Sequence, residues 1–189
     1  MSYSIAPIGR AAQSSVPRGS ERTYTLVILV NDRPGAVDRV IGLLRRRRAS
    51  TQALVLVSSE LPGVIRVTAQ VTDLDVAVDH LLAQLRKVID VRRAENLTQQ
   101  QIVTRELALI KVSSSSTTCN EIIECGRLFG AHIVDNTPET VLLEVTANKE
   151  KVDELITLLE QYGICELARS GSIAIARQSS ANMEEEISL

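Results

Sequence analysis

NDRPGAVDRV, residues 31–40, joins the apolar run TLVILV at 25–30 to a segment that places Val37, Val40, Ile41 and Leu44 on one helical stripe. A short, wholly apolar run reads as a strand covered on at least one face. Pro34 presets φ for helix entry, and Gly35 lets a ligand come close to the backbone. The unit is therefore strand, tight turn and helix. A helix that starts directly after a strand presents unpaired N–H groups and the positive end of its dipole, so a carboxylate can sit there without a cationic side chain. Asp32 would face an ammonium and repel a phosphate, which suits a zwitterionic amino acid. The same residues also read as an ordinary helix start with Asp32 as its cap, and spacing alone leaves both readings open.

Outward from this turn, 53–58 is a second apolar run, Leu61, Pro62 and Gly63 make a turn, and 64–72 alternates. Ile65, Val67, Ala69 and Val71 oppose Arg66, Thr68, Gln70 and Thr72, the pattern of an antiparallel hairpin with one wet face. Asp73 is placed to cap a helix carrying Leu74, Val78, Leu81, Leu82 and Leu85, and 88–97 returns as a strand. The order is β-α-β-β-α-β, and it repeats. A strand at 106–113, a polar loop SSSSTT at 113–118, a helix through Ile122, Ile123 and Phe129, two strands at 131–135 and 140–146, a helix with Val152, Leu155, Ile156 and Leu159, and a final extended segment at 164–176 make the second unit. The expected fold is α+β, two ferredoxin-like βαββαβ domains at 23–97 and 105–177, with a linker at 98–104 and flexible tails at 1–22 and 178–189.

Composition narrows the function. A chain of 189 residues, 44% hydrophobic, can bury one sizeable core or two smaller ones. A net charge of −2 and a pI near 5.8 provide no global positive field for nucleic acid. One Phe, three Tyr and no Trp leave few platforms for stacking bases. The four arginines at 45–48 then read as partners of a helix C-terminus or as a contact for an acidic protein. A ferredoxin-like RNA-binding module using them is the lesser alternative. Cys119, Cys125 and Cys165 lack metal-like spacing, and no apolar run approaches the roughly 20 residues of a membrane span, which points to a reduced, cytoplasmic protein. The Ser- and Arg-rich residues 1–22 carry no acid before Glu21, so an organellar transit peptide is the sharper alternative to a tail.

No catalytic constellation emerges. His80 and His132 fall in different units, Cys119 and Cys125 sit at a helix among Ile122 and Ile123, and Glu121, Glu124, Glu144 and Glu166 are scattered without an evident acid/base pair.

Five stretches resemble one family. LVNDRPGAVDRVIGLL and LPGVIRVTAQV look like an ACT domain, while IDVRRAENLT at 89–98, RELALIKV at 105–112 and YGICELARSGSIAIAR at 162–177 are similar to the small regulatory subunit of acetolactate synthase (acetohydroxyacid synthase). The resemblance covers about residues 23–177. It implies two ferredoxin-like halves and a non-catalytic protein that dimerises through its ACT sheets, binds a branched-chain amino acid there, and associates with a large catalytic subunit. That partner would carry thiamine diphosphate, magnesium and FAD; this chain would bind none of them. The effector would lie on Asp32, Gly35, Ala36 and Val37 of one protomer and on Ser50 and Thr51 of the other. The chain departs from the family where Asp32 replaces the usual Asn and where Ser50 replaces a second Asn, changes that would weaken or retune valine binding. An activating subunit without amino-acid sensing is the corresponding alternative.

Overall fold

The computed structural model of the chain describes residues 22–46, 50–73 and 75–177. Its first half runs β1 (Arg22–Asn31), α1 (Ala36–Arg46), β2 (Ser50–Ser58), β3 (Val64–Asp73), α2 (Asp75–Leu85) and β4 (Val91–Asn96). The second runs β5 (Ile102–Ser113), α3 (Cys119–Leu128), β6 (His132–Asn136), β7 (Thr140–Ala147), α4 (Lys149–Leu159), a 3-10 turn (Glu160–Tyr162), β8 (Ile164–Arg169) and β9 (Ile173–Ala176). The sheets have the same antiparallel order, β2-β3-β1-β4 and β6-β7-β5-β8, so the repeat expected from sequence is present in three dimensions.

Period-two alternation places each core. Leu26, Ile28 and Val30 of β1 and Val67, Ala69 and Val71 of β3 face Val40 and Leu44 of α1 and Leu81 and Leu85 of α2. In the second half Ala108, Ile110 and Val112 of β5 face Ile122 of α3 and Val152, Leu155 and Leu159 of α4. Asn148 caps α4, its side chain accepting from the Lys151 N–H at 3.3 Å.

Several boundaries differ from the sequence expectation. β2 begins at Ser50 rather than 53, because Ser50 and Thr51 pair with Thr72 and Val71 through the backbone and need no apolar side chain to do so. β4 begins at Val91: Ile89 is exposed and Asp90 buried in the preceding turn. Strand β1 takes in Arg22 of the expected tail, and β5 takes in residues 102–104 of the expected linker. Leu74, placed on the α2 stripe, lies outside the described residues, as do 1–21 and 178–189.

The largest correction concerns the last segment and the wet face. Residues 164–176 are two strands, broken at Ser170, Gly171 and Ser172, with Gly171 at φ 75°. Strand β9 leaves the second sheet, pairs with the start of β5 from Ile102 to Arg105, and lies over the open face of the first sheet. Val27, Leu97, Ile102 and Ala174 pack together there. Thr68 and Gln70, expected in water, are consequently only 2% and 8% exposed.

Candidate functional site

The turn at 31–37 is held from both sides by backbone. Asn31 N–H donates to Asp90 O and Asp32 N–H to Gly63 O, each at 2.8 Å. Within the turn Arg33 N–H donates to Asn31 O at 2.9 Å and Ala36 N–H to Arg33 O at 3.0 Å. Gly35 has φ 76°, a conformation costly for any side chain, and a Cβ there would stand 3.3 Å from Nη1 of Arg39. Arg39 in turn forms an ion pair with the buried carboxylate of Asp90, and Arg92 Nε donates to Asn31 Oδ1 at 2.6 Å. The loop after β1 is thus tied to the α2–β4 turn on one side and the β2–β3 turn on the other.

Within this frame Asp32, Arg33, Pro34 and Gly35 are exposed, Val37 is half-buried and Ala36 is fully buried. The Asp32 carboxylate accepts no hydrogen bond among the described residues; its position in the turn is fixed by its N–H. It is therefore not the cap of α1, and the plain-cap reading of this residue falls away. What remains is a rigid turn that offers an uncommitted carboxylate next to the start of a helix.

Ser50 and Thr51 are exposed at the other end of the sheet. Ser50 pairs with Thr72 and Thr72 with Thr23, whereas Asn31 sits at the far end of β1 opposite Val64. Eight residues of strand separate the two ends, about 27 Å at the usual rise. One chain therefore does not bring all six expected effector contacts together. Thr51 does line a groove of about 440 Å³ with Ile41, Leu44, Arg45, Gln52 and Leu54, an aliphatic floor under a polar rim.

The other sequence candidates stay apart. His80 and His132 are both exposed, on α2 and β6 of different halves. No group of three or more His, Cys, Asp or Glu able to hold a metal occurs among the described residues. Burial pushes the Cys125 thiol above its ordinary pKa, away from a thiolate nucleophile, and Cys119 Sγ donates to Asn136 Oδ1 at 3.5 Å. Glu121 accepts from the Tyr162 hydroxyl at 3.3 Å, Glu124 pairs with Arg127, and Glu166 with Lys111. Arg45 is exposed near the end of α1, and residues 47–48 lie outside the described ones. Sequence reasoning missed Arg39, Gly63 and Asp90, whose roles depend on partners 31 to 59 positions away. It also missed Glu106, a buried carboxylate on the core-facing parity of β5. A charge falling in phase with Ala108, Ile110 and Val112 was the available signal.

A βαββαβ half with this tight turn between first strand and first helix has the architecture of an ACT domain, and comparison with known sequences agrees. The family described as AHAS small subunit-like ACT domain matches residues 26–93, and that described as small subunit of acetolactate synthase matches residues 105–178. The chain belongs to the family of acetolactate synthase small regulatory subunits. It is 39% identical over 155 residues to the acetolactate synthase small subunit of Mycolicibacterium smegmatis, covering 82% of this chain and 91% of that one. It is 36% identical over 158 residues to the chloroplastic acetolactate synthase small subunit 2 of Arabidopsis thaliana, covering 84% of this chain but 33% of that longer protein. The crystal structure of the small subunit from Thermotoga maritima superposes with a TM-score of 0.76 at 30% identity, covering 83% of this chain and 98% of that one.

Proposed function

We propose that the protein activates a large catalytic acetolactate synthase subunit and confers feedback inhibition by a branched-chain amino acid, bound where the ACT sheets of two copies meet. The observation that carries this reading is the placement of β2. It is a nine-residue edge strand with Leu56 and Val57 exposed, an edge that a soluble protein ordinarily covers. Joining two such edges antiparallel about a two-fold axis sets the Ser50 end of one β2 beside the Ser58 end of the other. That end adjoins the Asp32–Gly63 junction, so pairing closes the 27 Å gap between the two sets of contacts. Asp32 then receives the ammonium, the start of α1 receives the carboxylate, and the groove beside Thr51, with Ile41, Leu44 and Leu54, takes the aliphatic side chain.

In this reading thiamine diphosphate, magnesium and FAD reside on the large subunit and the chain supplies no catalytic group. It works in branched-chain amino-acid biosynthesis without nucleic acid. Among the described residues no helix is long and apolar enough to cross a membrane. We place the protein in the cytoplasm, or in an organelle if residues 1–22 act as a transit peptide. Reconstitution with the cognate large subunit is the test. A complex with raised turnover that valine, leucine or isoleucine inhibits supports the reading; no complex and no change in turnover refutes it. The exposed carboxylate of Asp32, at a position where the family resemblance implies a neutral amide, favours a second reading: an activator that has lost sensing. Activation without inhibition by any branched-chain amino acid would select it.

A further inference from the structure

We infer that the two-stranded arm formed by β9 and the start of β5 is the element that transmits occupancy of the ACT site to the second half of the chain. The inference rests on the feedback reading above. The arm is rooted firmly at one end. Arg169 of β8 hydrogen-bonds the buried Glu106 of β5 and, at 2.7 Å, Asp153 of α4; the Glu106 bond also holds its guanidinium above the ordinary pKa. Ser172 Oγ donates to the other Glu106 oxygen at 3.2 Å, and Ser170 bonds Leu107 through both backbone and hydroxyl at 3.0 Å. A buried carboxylate with every partner supplied fixes where the arm leaves the second core.

Along its length the arm rests on the first sheet, with Ala174 and Ile102 packed against Val27 and Leu97. Arg66 Nη2 donates to Ala174 O at 2.8 Å, and Gly171 sits so close to β2 that a Cβ there would meet Val55 at 3.0 Å and Ala53 at 3.6 Å. Beside Arg66 a cleft of about 310 Å³ lies open between Val57, Val103 and Ile175, and Ile173 and Ile175 are 51% and 63% exposed. The arm is thus packed on its inner side, and the adjoining void leaves room for it to shift when the sheet beneath it moves.

Its two seats adjoin both halves of the effector site. Arg66 is three residues from Gly63, whose carbonyl holds Asp32, and Val55 is four residues from Thr51. A ligand that draws Thr51 of one copy toward the turn of the other shifts β2 and β3 under the arm, while the Glu106 cluster carries the displacement into the second core. Coupling of this kind requires a packed element that both sites bias.

The test is Arg66→Ala in the holoenzyme, with Arg66→Lys restoring a donor and Gly171→Val as an independent wedge. Arg66→Ala should keep activated turnover and the calorimetric affinity for valine, yet raise residual activity at saturating valine about fivefold. Arg66→Lys should recover part of the inhibition, and Gly171→Val should lose it. Unchanged inhibition in Arg66→Ala overturns the inference, as does loss of valine binding together with inhibition. If the wild-type holoenzyme neither binds nor responds to branched-chain amino acids, the feedback reading has failed separately. Amide exchange then decides: faster exchange in β9 of Arg66→Ala by roughly two- to tenfold, one hydrogen bond's worth, retains the arm as a labile contact between halves. Unchanged exchange removes it.

Discussion

The two halves of the chain share one topology and differ in the loop between first strand and first helix. In the first half that loop is a tight turn pinned by its neighbours' backbone, leaving the Asp32 side chain uncommitted among the described residues. In the second it satisfies itself: Ser115 N–H donates to Thr118 Oγ1 at 3.0 Å, Thr118 N–H returns to Ser115 Oγ at 3.3 Å, and Ser115 Oγ also meets Thr117 Oγ1 at 3.0 Å. Hydroxyls that occupy the loop's own donors reduce what a ligand can bind. One fold thus presents a turn ready for a zwitterion in one copy and a closed polar loop in the other. The largest expected effect tests this contrast. Gly35→Asp adds a side chain at φ 76° and a like charge against a carboxylate ligand, and should lower valine affinity roughly 10- to 100-fold by calorimetry, about 1.4–2.8 kcal/mol. Ser115→Asp in the second loop should leave that affinity unchanged. Equal losses from both would erase the distinction between the halves.

The edges differ as well. β2 is nine residues long and exposes Leu56 and Val57, whereas β6 has five residues with polar His132, Asp135 and Asn136 along it; each carries one register shift, between Thr51 and Ala53 and between Ile133 and Asp135. A short, polar edge resists pairing, and a longer one with exposed apolar residues invites it. Leu56→Lys should therefore weaken dimerisation about tenfold in sedimentation, since it puts a charge into the apolar edge that the pairing covers. Val134→Lys on β6, also at an exposed position, should leave the dimer intact. Dissociation by the second variant and not the first would move the dimer interface to the other half.

How much of this was legible in the sequence follows from what each feature depends on. The order of strands and helices follows from periodicity, and the turn at 31–37 could be placed because strand, Pro34, Gly35 and helix are contiguous. Features set by the partner strand could not be read. Ser50 and Thr51 belong to β2 because Thr72 and Val71 are opposite them, and nothing in their side chains says so. Thr68 and Gln70 alternate like a wet face and are buried because a strand more than 100 residues away lies on them. That strand was itself hidden inside an apparently continuous run, 164–176, where the break at Gly171 has the composition of a turn but no length to separate two obvious strands. The contacts that rigidify the candidate site, Arg39 with Asp90 and Asp32 with Gly63, are likewise products of the closed fold.

The open sheet faces complete the comparison. The first is roofed by the arm; on the second, Leu107 is 37% exposed and Lys111 lies 3.8 Å from Glu166 in an exposed pair of little energetic weight. Stability of the second half rests on its own apolar core, to which local polar closures such as the Ser115 loop add a little. Each neutral hydrogen bond of that kind contributes about 0.5–1.5 kcal/mol net, toward the lower end where water can replace it. Ser115→Ala removes an acceptor for Thr118 N–H and the Oγ contacts to Thr117 and Thr118, so thermal unfolding should show a loss of roughly 0.5–1 kcal/mol. Valine affinity should not change. A loss of valine affinity without a loss of stability would mean that the second loop, closed on itself here, opens to serve the ligand and that the two halves are functionally alike after all.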